Sequence, residues 1–506
     1  MEPNKISNEY LHRLQAVYHE ISKRGILVSP ERIAKAQKIV AEDIEKQLAI
    51  ASKSWGCRCY LGGANANKAD KTEVNLNASS GSRTPLARLK ELGYTIPKIG
   101  VRDEDGNYVS KESLAELTLQ KMYAANQFGV SGGEPSLRAL LRIRELSTID
   151  SRYLRANFYN RNGQLLFLSN YNVAGTVTGR RASRKHIFGY GNNAQNFPKH
   201  GVLASLFRSC LIARPGKIFL SVDQMQAEDW PVSALANNTE ALKDLEHGVD
   251  RHTKLASMIF NIPIESRTEK EWKDSIERYL GKKTRHANNY GMRANTMSDT
   301  LAKEGHAVSA EACKQILTRV NQIDPSVDSV FHEYVRQCLY KDRTLTTPFG
   351  RSRIFLGLRA GDAGGNNKIF NEAYSYIPQS TVGDNTALAL YELETKYPDS
   401  FITHECHDSI MEEIDDSLDT IWEHVQRIRD SFKRTITFHN GLSVDIPVEA
   451  ELSFNFNDST GIKSKLKGTK KLDDVTYQDV SDSYHRLKEE AEKKEQEGSI
   501  NAKAAE

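Results

Sequence analysis

The stretch KIFLSVDQ (residues 217–224) is an apolar run that closes on an acid, Asp223. A second stretch, ECHDSIMEEI (405–414), alternates on either side of another acid, Asp408. The first reads as a buried strand and the second as two short strands joined at His407-Asp408. An acid ending one strand and an acid in a hairpin turn can meet at the edge of one sheet. Such a pair can hold two Mg²⁺ ions roughly 3.5–4 Å apart and clamp the attacking and leaving oxygens of a phosphoryl transfer. Magnesium suits the pair because it takes few protein carboxylates and completes its shell with water and phosphate. Taken singly, each Asp is a common turn former, so the pairing needs support from elsewhere in the chain.

Around these strands the pattern is mixed. The first 45 or so residues predict helix, with Ile33, Ala36, Ile39, Val40 and Ile44 at helical spacing. Residues 51–80, rich in Gly, Ala, Asn and Ser, predict loop, and 81–155 predict helix, most clearly LRALLRIREL (137–146). Residues 165–225 mix turns with short strands, and 231–335 read as helical. TLTTPFGRSRIFLG (344–357) predicts a hairpin, a helix precedes residue 401, and VDIPVEAELSF (444–454) predicts a last strand. Helical segments thus interrupt a small strand-rich centre, which is α+β. After about residue 460, Lys, Glu, Asp and Gln dominate and predict a solvated or frayed helix.

Composition excludes several classes. The chain has 506 residues, 39% hydrophobic and 27% charged, with a net charge of +3, so any basic surface is local. No apolar run approaches ~20 residues, so no membrane partner is expected. The N-terminus lacks an apolar targeting core, which makes the cytoplasm the expected compartment. Six cysteines are scattered, and Cys57 and Cys59 have no further ligands at zinc spacing.

ERYLGKKTRHANNYGM (277–292) supplies the support. Arg278, Lys282, His286 and Tyr290 stand four apart and form one helical stripe, with Lys283 and Arg285 beside it. Two fixed cations, an imidazole and a phenol suit a triphosphate with a sugar or base above it. An exposed basic helix face is the plainer alternative, and the ending Tyr290-Gly291-Met292 speaks against it.

Arg278, Lys282 and Tyr290-Gly291 resemble motif B of family A DNA polymerases. SVDQMQAEDW (221–230) resembles motif A, with Asp223, Gln226 and Glu228 matching, and Cys406-His407-Asp408-Ser409 resembles motif C. TVTGRRAS (176–183), AQNFP (194–198), FRSCLIARPG (207–216), DRHT (250–253), TPFGRSRIF (347–355), YIPQSTVGD (376–384) and VNLNASSGSRTPLARLKELGYTIP (74–97) resemble further family segments in the right order. The likeness runs from about residue 20 to 457.

This resemblance implies a right hand of palm, fingers and thumb. Residues 1–45 would be an N-terminal helical segment packing on the palm, and 46–155 the thumb. Residues 156–235 and 344–457 would be the two parts of the palm, 236–343 the fingers, and 458–506 a charged C-terminal tail. By the same resemblance, Asp223 and Asp408 bind the two metals, and Arg278 and Lys282 hold the incoming dNTP, Lys282 with a catalytic part. Gln226, His252, His286 and Tyr290 complete the nucleotide site, and Glu228 is the steric gate against a ribose 2′-OH. Arg180, Gln195, Asn196, Arg208, Gln379 and His407 line the primer–template DNA.

Four departures stand out: Gln224 for the usual Tyr, Asp229-Trp230 for Leu-Arg, His286 for an aromatic ring, and Ser409 for a second acid. Ser409 after His407-Asp408 also resembles motif C of single-subunit RNA polymerases, so an RNA polymerase or primase is one alternative. Glu228 at the gate and the 178–198 segment favour DNA synthesis. An inactive palm that only binds primer–template is the other alternative. The thumb-like segment begins near Met1, so a 3′–5′ exonuclease domain is expected to be absent, with proofreading, processivity or helicase functions left to separate partners. The divergent motifs resemble bacteriophage or mobile-element enzymes.

Overall fold

The computed structural model describes residues 6–62, 73–78, 83–102, 108–125, 133–199, 201–306, 308–359 and 367–503. Parts of the expected 51–80 loop (63–72 and 79–80), part of the 74–97 segment (79–82) and the last three residues of the tail lie outside them.

The centre is a five-stranded antiparallel sheet. Its strands are β1 (Lys217–Gln224), β2 (Ile402–Cys406), β3 (Ser409–Asp415), β4 (Val448–Ser453) and β5 (Ser459–Gly461), in the order β2-β3-β1-β4-β5. Asp223 lies opposite Ser409 on one side and Glu449 on the other. On β1, Ile218, Phe219, Leu220 and Val222 are buried, because a central strand covered on both faces is a near-continuous apolar run.

The helices that matter are α1 (Asn8–Arg24), α2 (Arg251–Phe260), α3 (Ile276–Asn289), α4 (Asn367–Lys396), α5 (Leu418–Phe432) and α6 (Tyr477–Lys503). Several begin where the sequence supplies a cap. Ser7, Asp250, Ser275 and Ser417 each accept a backbone N–H of the first turn. Tyr10, Leu14, Tyr18 and Ile21 place one face of α1 in the same core as Ile218 and Leu220. Gly281 lowers the helix propensity of α3 and has a packing reason. A Cβ there would stand 2.9 Å from the His252 carbonyl oxygen and 3.0 Å from the Ala256 Cβ, so only glycine lets α3 cross α2 this closely.

Compactness divides the chain into two units. One comprises Met1–Arg32, Ala156–Met292 and Ile316–Glu506; the other comprises Ile33–Arg155 and Arg293–Gln315. The second unit has its own core, built from Leu48, Trp55, Leu89, Leu119, Leu137, Leu140 and Ile143. It includes the end of the expected N-terminal segment, all of the expected thumb and a piece of the expected fingers.

Four local expectations need correction. The helix Pro30–Trp55 runs through the start of the expected loop, carried by buried Ala51 and Trp55. A hairpin, Lys98–Arg102 with Tyr108–Glu112, interrupts the expected helical stretch 81–155. The last strand divides: Ser443–Asp445 pairs with Thr435–Thr437, and only Val448–Ser453 joins the central sheet. The tail is not simply solvated. β5 extends the sheet from β4, and Leu472, Val475, Val480, Tyr484 and Leu487 belong to the main core. The Tyr484 hydroxyl donates to Asp416 Oδ1 at 2.9 Å.

Val480 is fully buried, so Val480→Asp would put a carboxylate where α6 meets the core. The expected outcome is tryptic cleavage at Arg486 and Lys488, sites the parent chain protects. An unchanged digestion pattern would show that this face does not hold α6.

Candidate active site

The tight turn at His407-Asp408, with His407 at φ 64°, brings the two motif acids together. The Gln224 N–H donates to the Asp408 carbonyl oxygen at 3.2 Å, which sets the Asp408 backbone beside the end of β1. Asp223 is exposed by surface area, yet desolvation by the surrounding atoms, then the charges of Asp408 and Glu449, push its carboxyl well above the usual range. Desolvation also pushes Asp408 up, with Arg180 opposing. Crowded like charges that resist ionisation are what a hard divalent cation relieves. The donor set therefore fits a metal that takes two carboxylates and fills its shell from water and phosphate. Among the described residues there is no cluster of three or more His, Cys, Asp or Glu side chains that could cage an ion alone.

Glu228, just beyond β1, is the hub of the site. Its Oε1 accepts from the Arg180 Nη2, its Oε2 accepts from the Tyr290 hydroxyl, and His286 Nδ1 lies 3.7 Å from Oε2. Burial opposes ionisation, but His286, Arg180 and Tyr290 together outweigh it and hold the carboxyl down at about 2. His286 and Tyr290 both come from the end of α3, so the stripe forms as the spacing predicts, and the structure brings its end to the motif A acid. Lys282 is exposed on the same helix. Arg278 is held through its Nε by Asp250 Oδ2 at 2.7 Å and Thr253 Oγ1 at 3.2 Å. His252 lies beside His286, with ring centroids 6.0 Å apart. Burial lowers its pKa to about 4 against the pull of Asp229 and Asp250, and its Nδ1 has no partner among the described residues.

Other expected site residues are placed differently. Gln195 is 7% exposed; its Oε1 accepts from the Ser183 N–H at 2.8 Å and its Nε2 donates to Glu405 Oε2 at 3.1 Å. These two bonds and its burial make it a brace between the Ser183 backbone and Glu405. Gln226 is likewise spent on backbone, donating to the Val249 carbonyl and accepting from the Arg251 N–H. It positions the start of α2. Asn196 is exposed, and Arg180, Gln379 and Arg208 are half-buried, Arg208 lying over the Phe456 ring. Burial lowers the His407 imidazole to about 4, helped by the nearby cations Arg180, Lys199 and Arg181, and its Nδ1 has no partner among the described residues.

The structure also explains two departures. Gln224 is 3% exposed and binds α4: its Nε2 donates to Thr386 Oγ1 at 2.8 Å and its Oε1 accepts from Asn385 at 2.8 Å. Asp229 is buried and accepts from the Arg285 Nε at 2.6 Å. A third group escaped the sequence altogether. Asp384, buried on α4, takes Arg351 through two bonds of 2.9 and 2.7 Å and lies 3.6 Å from buried Arg181. The adjacent Gly383 is required here, since a Cβ would meet Arg181 Nη2 at 2.7 Å. Arg180-Arg181 in sequence was the available signal, with one guanidinium facing the site and one the core.

The sheet and helices form a right-hand polymerase fold. The POL domain of Pol1 from M. smegmatis, solved in complex with DNA primer-template and dNTP, matches it with a TM-score of 0.68 at 19% identity, over 88% of this chain and 70% of that one. Residues 64–458 match the family model for DNA polymerase family A, and the chain belongs to that family. It is 27% identical over 327 residues to the thermostable DNA polymerase I of Thermus aquaticus, covering 63% of this chain and 34% of the relative. It is 22% identical over 398 residues to DNA polymerase I of Pseudomonas aeruginosa, covering 75% and 39% respectively. The chain thus spans little more than a third of the length of these curated relatives. Family A polymerases are generally metal-dependent. Among the described residues no helix is long and apolar enough to cross a membrane.

Because its folded carboxyl sits near 2 against an ordinary 4.5, Glu228 contributes stability that is complete above about 4.5 and is lost as pH falls towards 2. Glu228→Gln is expected to flatten the acid limb of the urea midpoint across that window. A limb of unchanged slope would mean the carboxylate is not held by its three partners.

Proposed function

We propose that this chain is a template-directed DNA polymerase that adds dNTPs to a primer 3′-OH and releases pyrophosphate. The observation that carries the reading is the meeting of Asp223 and Asp408 at one sheet edge, in the unit whose basic helix reaches Glu228. Asp223 and Asp408 would hold two Mg²⁺ ions, which when bound supply charge neutralisation to the attacking and leaving oxygens. The rest is positioning by the chain itself.

Arg278 and Lys282 hold the triphosphate. Asp250 and Thr253 fix Arg278 through its Nε, and its terminal amines carry no bond within the chain among the described residues. His252, kept neutral by burial, can donate a hydrogen bond but brings no charge at neutral pH. His286 and Tyr290 face the sugar and base, and Glu228 crowds a 2′-OH. Arg180, Asn196, Arg208, Gln379 and His407 are proposed to contact the primer–template, whose binding should weaken with salt. In this reading 46–155 acts as thumb, the α3 region as fingers and the sheet as palm. Magnesium as the ion, separate proofreading or helicase partners, and a phage-type origin belong to the same proposal.

Primer extension with Mg²⁺ on a defined primer–template, with dNTPs and rNTPs in parallel, is the test. Template-dependent growth with dNTPs alone is expected; growth with rNTPs would move the reading to an RNA polymerase, and none with either to a binding palm. Asp223→Ala and Asp408→Ala are each expected to lower turnover by about 10³-fold or more while sparing DNA binding in a gel shift. Near-parental turnover in either would remove that residue from the metal site.

A further inference from the structure

Two consecutive acids, Glu228 and Asp229, meet two consecutive bases, Arg285 and His286. The outer rung is the Glu228 contact described above. The inner rung, Asp229 with Arg285, has side chains 5% and 6% exposed, and Asp229 stands where the family pattern of motif A has Leu. We propose that the buried Asp229–Arg285 pair is a positioning device for sugar selection: it fixes the last turn of α3 so that His286 and Tyr290 hold the Glu228 carboxylate in place. The proposal rests on the polymerase reading and on Glu228 as its gate.

A buried ion pair seldom adds net stability over apolar residues of similar size, so its retention calls for a geometric role. The geometry supplies one. Glu228 Oε2 takes both of its α3 partners, Tyr290 and His286, from residues that flank or closely follow Arg285. A small rotation of α3 would move both partners together, and only Arg180 on Oε1 would remain. Asp229 is also the counter-charge that a crowded basic site needs. Arg251 and Arg285 repel one another, and besides Asp229, Arg251 has Ser233 Oγ at 2.7 Å and Asp324 at 3.8 Å, with Asp244 further off. His252 faces Asp229 as well and is held neutral. Asp229 is therefore held ionised, down at about 2: burial opposes this, and Arg285, His252 and Arg251 overcome it. Gly281 keeps α3 tight on α2 one turn earlier, so the pair sets the remaining freedom of the helix end. Asp229 and Arg285 are thus positioning residues that act through Glu228.

The test compares kcat/KM for a dNTP and its rNTP in the full chain. Asp229→Asn is expected to lower the dNTP preference about tenfold, with the dNTP KM raised more than kcat is lowered. In a Glu228→Ala background the same change should leave the preference unaltered, because the gate it serves is gone. Arg285→Lys, which keeps the charge and loses the planar fork, should show the same effect more weakly and serves if Asp229→Asn fails to fold. A lowered thermal midpoint with an unchanged preference would overturn the proposal and leave the pair structural. So would an equal loss of preference with and without Glu228. A parent chain that extends primers without preferring dNTPs would overturn the gate itself, and one that extends nothing would overturn the polymerase reading; both show before any variant is made.

Discussion

Everything at the site depends on the register of one strand. Asp223 stands at the outer end of β1, beyond the buried run of Ile218, Phe219, Leu220 and Val222, and the pairing of β1 with β3 and β4 fixes it there. The same register sets Asp223 beside Ser409 and Glu449, and the β2–β3 turn delivers Asp408 to it. Both acids are pushed towards protonation by their setting, which leaves a demand for positive charge at the end of β1.

Five residues further along the same chain the opposite holds. Glu228 is held well down by an arginine, a phenol and an imidazole. The two environments separate the roles of acids that are nearly adjacent in sequence. Asp223 is left to be neutralised from outside the chain, and Glu228 is neutralised from within. Arg278 illustrates the same division, being anchored at its Nε by Asp250 and carrying no bond at its terminal amines among the described residues.

The departures from the family pattern are structural exchanges and not defects. Gln224 trades a ring for three hydrogen bonds that fasten β1 to α4. Asp229 and Arg285 introduce a pair of charges together, as burial requires, since either alone would be left unpaired. The C-terminal segment beyond the family match adds a strand to the sheet and a helix to the core, so the central sheet and its core extend past the matched region.

Much of this was legible. Local apolar runs, the 344–357 hairpin, the 401–414 strand pair and the four-residue spacing of Arg278, Lys282, His286 and Tyr290 are short-range patterns, and they appear as read. The tail was misread because its charges dominate the composition, while Val480, Tyr484 and Leu487 carry its docking at helical spacing. The sequence by itself determined which residues could carry the chemistry and in what order they occur. Only the tertiary structure decided which polar side chains brace the fold: Gln195 and Gln226 match the pattern and bond within the chain, whereas Asp229 departs from it and pairs with Arg285 beside Glu228. The physical reason is that a side-chain amide bonded within the chain at both its oxygen and its nitrogen is held in one place, and its partners are supplied by neighbours tens or hundreds of residues away.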